Sequence, residues 1–363
     1  MTRKENQAAR ARAHFPAFEL PAPSPTHAAD ALTPFHQLIK RLSETYGPSG
    51  SEEAVRELAR AEIKGLADQI RVDAFGNLIA LRKGAGSRRK KIMVTAPLDE
   101  PGVMVTFLDA RGFARFGMLG AVKPLTLPGA RCQFENGVIG VFGRETRGAA
   151  DTEKDADALF LDVGATSAQD APVRIGDAAC LVGEFRAAGN LLCGKALSGR
   201  ARGAILIETL RRLKRATHDV YCVFTVQSQV GARGAGAAAF ALQPDYAFVL
   251  DATPAQDFPG GGTNLALGKG PAILAQDEKM IASAAARQVL LEAARQTQTP
   301  YQIQAHARGG GEGAPIQAAR EGIVTGALGL PVRYLHTQSE MVDARDVANI
   351  IEILTSVFAA KTL

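Results

Sequence analysis

Residues 219–250 read DVYCVFTVQSQVGARGAGAAAFALQPDYAFVL. The β-branched and aromatic run 219–227 predicts a strand, the small-residue stretch 235–242 a helix, and the apolar run 246–250 a second strand. Strand, helix and strand in immediate succession form the repeating unit of a sheet covered by helices. The alternation extends outward. A helix over 201–213 precedes it; a helix over 283–296, a strand over 301–306, a helix over 313–320 and a strand over 323–328 follow. Val347, Ile350, Ile351, Leu354, Val357 and Phe358 line one face of a last helix. Toward the N-terminus, Leu38 and Leu42 suit a first helix that closes at Tyr46-Gly47-Pro48. Ser49-Gly50-Ser51-Glu52 reads as a capping box opening a second, which carries Ala54, Leu58, Ile63 and Leu66. A strand pair turns at Asp73 and Gly76-Asn77, and 91–95 is a short buried strand.

From 102 to 186 the texture changes. Strand-like runs at 103–108, 138–142 and 158–163 alternate with Gly/Pro turns, and no helical period appears. The expected architecture is an α/β domain built from 33–101 and 187–363, interrupted by a small all-β domain over 102–186. Residues 1–32, Ala/Arg-rich and then Pro-rich, read as a flexible tail. No internal repeat is visible.

Composition excludes several functions. No stretch approaches the ~20 apolar residues of a membrane span, and the polar, basic start lacks the apolar region of a secretory signal. The formal net charge is +5. Its basic clusters, Arg3-Lys4 with Arg10 and Arg12, and Arg88 to Lys91, are not interleaved with aromatic residues, so no nucleic-acid partner is expected. Cys132, Cys180, Cys193 and Cys222 are scattered, which argues for buried reduced thiols in a cytoplasmic protein rather than a zinc knuckle or a disulfide framework. The glycine clusters 260–262 and 309–311 lack the Lys-Ser/Thr of a phosphate-binding loop.

In open α/β sheets, functional groups gather at the carboxyl ends of strands. The segments at or near those ends are Pro97-Leu98-Asp99-Glu100, Lys195-Ala196-Leu197-Ser198-Gly199-Arg200, Ser228-Gln229-Val230-Gly231, Asp251-Ala252-Thr253-Pro254 and Tyr334-Leu335-His336.

Here the sequence resembles the tetrahedral (TET-type) metallo-aminopeptidases, the glutamyl aminopeptidase or "cellulase M" family, over nearly everything but the tail. Gly47-Pro48-Ser49-Gly50-Ser51-Glu52 resembles its G-x-S-G-x-E, and Asp73 to Leu78 its D-x-x-G-N-L. Asp162-Val163-Gly164-Ala165 and Gly176-Asp177 resemble motifs of its inserted domain. Val223 to Ala235 resembles V-F-T-V-Q-E-E-V-G-x-R-G-A, and Tyr334 to Asp343 resembles Y-I-H-S-x-x-E-M-V-D. The resemblance implies a zinc-exopeptidase-like mixed sheet and two metal ions that activate a bridging water for hydrolysis at peptide N-termini.

Position by position, the resemblance places the first ligand His on Pro97. The bridging Asp falls on Ser198 and its neighbour on Gly199. The general-base Glu falls on Ser228 and the ligand Glu on Gln229. Asp251 and His336 retain their ligand types. Asp99, Glu100, Glu312, Arg333 and Glu340 fall in the surrounding shell or cleft. Proline offers no donor, and neutral Ser and Gln oxygens give a cation far less charge than carboxylates. No His or Lys adjoins Ser228 to activate it.

The expectation is therefore an inactive or impaired family member that binds peptides or serves as a structural or regulatory subunit beside an active relative. No cofactor is expected, or at most a weakly held zinc or cobalt. A homo-oligomer is expected, as the family builds closed assemblies. The alternative is an active aminopeptidase with a metal site rebuilt from Asp99, Glu100, Asp251, Glu312 and His336. A sugar hydrolase would need two acids at a fixed separation, which the sequence does not fix. His306, beside Arg308, reads as an ordinary loop residue.

Overall fold

A computed structural model describes residues 32–145, 156–261, 265–305 and 310–362. His306 and the expected tail, apart from Leu32, lie outside the described residues. An eight-stranded mixed sheet forms the frame. Its strands are β1 (Gln69–Val72), β2 (Leu78–Arg82), β3 (Lys91–Pro97), β12 (Asp219–Thr225), β13 (Tyr246–Pro254), β14 (Ala272–Gln276), β15 (Gln302–Ala305) and β16 (Val324–Val332). Across the sheet they run β1-β2-β12-β3-β13-β16-β14-β15. The central four, β12, β3, β13 and β16, are mutually parallel. β2 is antiparallel to β12, and β14 to β16.

Covered on both faces, the central strands are apolar almost throughout; β3 is buried from Ile92 to Pro97. Its alternation divides the core. Ile92, Val94 and Ala96 face a large core shared with α1 (Pro34–Glu44), α2 (Glu53–Glu62), α3 (Leu197–Arg212), α5 (Ala284–Gln296) and α7 (Ala344–Ala359). Met93 faces a second core under α4 (Arg233–Leu242) and the short α6 (Gly313–Gln317). This two-sided covering is the α/β arrangement the sequence predicts.

Six strands between the two parts of this frame close into a barrel, in the order β4-β5-β8-β7-β6-β9. They are β4 (Gly102–Leu108), β5 (Ala114–Leu119), β6 (Arg131–Phe134), β7 (Ile139–Arg144), β8 (Leu159–Asp162) and β9 (Ala178–Leu181). Val103, Val105, Phe134, Phe142 and Leu161 fill its interior. Closure removes the sheet edges that so short a chain of strands would otherwise expose. A small sheet of β10 (Arg186–Ala188), β11 (Leu191–Gly194) and β17 (Glu340–Asp343) ties the chain leaving the barrel to the start of α7.

Three local expectations change. Helix α3 begins at Leu197, not near 201, so Ser198-Gly199-Arg200 is its first turn rather than a loop. The capping box at Ser49–Glu52 does not form: the N-cap, Glu52, makes no side-chain cap bond. The Ser49 hydroxyl donates to Asp99, and Glu52 accepts from the amides of Gly50 and Gln227. β14 is a strand the alternation did not announce. All four cysteines are free; Cys132, Cys180 and Cys222 are buried and Cys193 is half-buried.

Candidate functional site

The parallel register sets the site. Thr225 of β12 pairs with Pro97 of β3, so the chain leaving β12 passes beside the chain leaving β3. The Gln229 amide donates to Asp99 Oδ2 at 2.8 Å, and the Ser49 hydroxyl donates to the same oxygen at 2.6 Å. A methyl group placed on Gly199 would lie 3.1 Å from the Asp99 carbonyl oxygen and 3.9 Å from Pro97 Cγ, which brings the first turn of α3 to the end of β3. Asp251, late in β13, and His336, beyond β16, line the same cleft as Ser228 and Gln229. The cleft has a volume of about 320 Å³, and Ala121, just past the end of β5, closes one side.

Asp99 is fully buried, and its Oδ1 has no hydrogen-bond partner. Burial pushes its carboxyl up to about 6, against the lowering effect of the Ser49 and Gln229 bonds. The unpartnered oxygen belongs to the residue two beyond Pro97, where an imidazole would offer a donor and a proline ring cannot. Glu312, also buried, donates nothing and accepts from the Thr225 hydroxyl through Oε1, while Oε2 is without a partner. Burial raises its pKa. Buried polar atoms usually have partners, so these two oxygens stand out beside the cleft.

Glu340 holds the cleft's two remaining strands of chain together. Its carboxylate accepts from the Ser198 amide at 2.6 Å, the Ser198 hydroxyl at 3.0 Å and the His336 amide at 2.7 Å. His336 has φ of 65°, a left-handed conformation that costs energy outside glycine, so the Glu340 bond fixes a loop that would otherwise relax. Burial, helped by repulsion from Lys123 and Arg202, lowers the His336 pKa to about 4. The ring is thus neutral near pH 7.

Not every expected residue reaches the cleft. Glu100 binds Lys195 Nζ at 2.7 and 2.8 Å and Arg200 Nη2 at 2.9 Å in a buried triad. Arg333 is held by Asp257 at 2.6 and 2.7 Å and does not line the cleft. The sequence reading missed Arg202, Glu278 and Lys279, all of which do.

The donor set does not fit a pair of metal ions. Pro97 has no donor atom, the Ser198 hydroxyl is spent on Glu340, and Gln229 is neutral. Asp251 and His336 are the two positions with ligating side chains of the expected type. A catalytic zinc takes three protein ligands. Among the described residues no group of three or more His, Cys, Asp or Glu side chains converges as a metal site.

Fold and cleft together define a class, an aminopeptidase scaffold with a barrel set into its α/β frame. The structure superposes on an aminopeptidase from the archaeon Desulfurococcus kamchatkensis with a TM-score of 0.86 at 31% identity, covering 90% of this chain and 94% of that one. It matches the TET1 peptidase of Pyrococcus horikoshii, which assembles into a tetrahedron or a large octahedral shell, with a TM-score of 0.79 at 29% identity over 89% and 99% of the two chains. A putative aminopeptidase of Acetivibrio thermocellus is 39% identical over 320 residues, 87% of this chain and 96% of its own. The M42 glutamyl aminopeptidase profile matches residues 76–353, and the chain belongs to that family.

Proposed function

We propose that this chain is a catalytically silent or strongly impaired M42 protein whose cleft binds peptide ends without hydrolysing them. The observation that carries the reading is the identity of Pro97, Ser198, Ser228 and Gln229, of which Ser228 and Gln229 line the cleft. Four positions where the resemblance expects a His and three carboxylates carry no charge at all. Ser228, at the position where the resemblance expects the general base, is a poor base at neutral pH. A rebuilt site is less favoured, because Glu100 is committed to Lys195 and Arg200.

The cleft keeps charges of both signs, with Arg202 and Lys279 facing Asp251, Glu278 and Glu312. That mixture suits the zwitterionic end of a peptide better than a uniformly charged ligand. Turnover of aminoacyl chromogenic substrates, with and without added zinc or cobalt, tests the reading. The expected rate equals that of a metal-only blank. A metal-dependent rate abolished by chelator overturns it.

We also propose a homo-oligomer assembled in part through the barrel. Phe107, Ile139, Val141 and Ile175 are exposed there, with Ile139 and Val141 on the outer face of β7. Exposed apolar side chains grouped on one module favour symmetric contacts between copies. The assembly of the P. horikoshii TET1 peptidase points the same way.

A further inference from the structure

The floor of the cleft is made by a cation. Arg202 stands one turn beyond Ser198 on α3, and its side chain is 6% exposed. Its Nε donates to the Ser198 carbonyl, and its Nη1 donates to the Leu250 carbonyl at 2.7 Å. The same nitrogen lies 3.6 Å from Asp251 Oδ1. Burial lowers the pKa of the guanidinium, and attraction from Asp251, Glu312, Glu340 and Asp99 opposes that shift. Two of these, Asp99 and Glu312, hold the buried oxygens without hydrogen-bond partners. Buried carboxylates set close together either take up protons or are stabilised by a positive charge among them. Among the described residues no metal-ligand set is present to supply one, and the guanidinium is anchored by two backbone carbonyls beside Asp251.

We propose that Arg202 is the resident cation of this cleft, holding its carboxylates in place and barring a divalent ion from the position beside Asp251. The inference rests on the reading of the cleft as metal-free and adds the residue that makes it so. Arginine suits the role because its charge is permanent and its fork reaches two carbonyls while facing a carboxylate. A dication set beside it meets a fixed like charge at short range in a poorly solvated space. Restoring ligands around Arg202 is then insufficient to restore metal binding.

The test is calorimetric titration with zinc alone and cobalt alone. It compares the parent, the restored variant Pro97→His/Ser198→Asp/Ser228→Glu/Gln229→Glu, and the same variant with Arg202→Ala added. Removal of Arg202 is expected to tighten metal binding by at least about a hundredfold over the restored variant that keeps it. Equal affinities of the two restored proteins overturn the role of Arg202 and leave the metal-free reading of the parent intact. Stoichiometric binding by the parent overturns that reading and this inference with it. A second measurement does not depend on the restored proteins folding. Thermal melting of Arg202→Ala, Asp251→Asn and the double variant forms a cycle. The loss from Arg202→Ala should shrink when Asp251 has already been neutralised, since fewer carboxylates are then left without a cation. Strictly additive losses overturn the proposal.

Discussion

Replacing Glu340 with alanine removes one carboxylate and leaves three donors without their acceptor. Two are main-chain amides, Ser198 at 2.6 Å and His336 at 2.7 Å; the third is the Ser198 hydroxyl at 3.0 Å. Glu340 is fully buried, so water does not take its place without opening the packing around β17. A buried donor left unmatched costs about 1–3 kcal/mol. The hydroxyl can rotate toward another acceptor and counts for little, which leaves two amides and a gross loss of about 2–6 kcal/mol. Burial raises the Glu340 pKa, so removing the group also relieves a desolvation cost. The net expectation is a destabilisation of about 2–4 kcal/mol. Urea unfolding followed by circular dichroism measures it. The control is Glu352→Gln, which breaks an exposed pair with Arg212 and should stay within about 0.5 kcal/mol of the parent. Hydrogen exchange supplies a local readout: amides over 334–340 should exchange faster in Glu340→Ala, because the left-handed backbone at His336 loses its anchor. If Glu340→Ala unfolds at the parent's urea midpoint and exchange over 334–340 is unchanged, the account of how this cleft is held together is refuted.

Pro97→His alone should leave zinc affinity at the parent level by calorimetry, because ligands around one ion act as a unit. Asp346 accepts from the amides of Gly268 and Gly270, and burial lifts its carboxyl from 3.8 to about 6. With the folded pKa raised, this group's contribution is complete below about pH 4 and is lost as pH rises through 6, by about 3 kcal/mol. Asp346→Asn should flatten that part of the stability-against-pH curve relative to the parent, and an unchanged slope contradicts the assignment. Ile139→Lys with Val141→Lys, both on the barrel's outer face, should lower the sedimentation coefficient while leaving the circular dichroism spectrum unchanged.

Much of this architecture was legible because its signals are local. Strands β12 and β13 and helix α4 announce themselves through runs of β-branched, aromatic or small residues, and the barrel through frequent turns without helical period. Ser228 and Gln229, which line the cleft, stand just before the recognisable Val230-Gly231, as Ser198 stands just after Lys195 to Leu197. What those side chains touch was not legible. Ser49 and Glu52 have the spacing of a capping box, yet they spend their side chains on Asp99 and Gln227, partners brought near only by the fold. Arg202 escaped notice because 198–200 read as a loop. Once α3 begins at Leu197, residues 198 and 202 are one turn apart and the guanidinium falls under the cleft. Its signal was an arginine among Ala and Gly in a helix buried along most of its length. Glu100 looked available as a ligand because its partner Lys195 lies far away in sequence. The unpartnered oxygens of Asp99 and Glu312 have no counterpart in sequence pattern, since an absent bond is visible only when every neighbour is in place.

The central claim, that this M42 protein holds no metal pair, is tested most directly by elemental analysis of protein purified without chelator. The account predicts well under one equivalent of zinc or cobalt per chain. Two tightly bound metal ions per chain would contradict it.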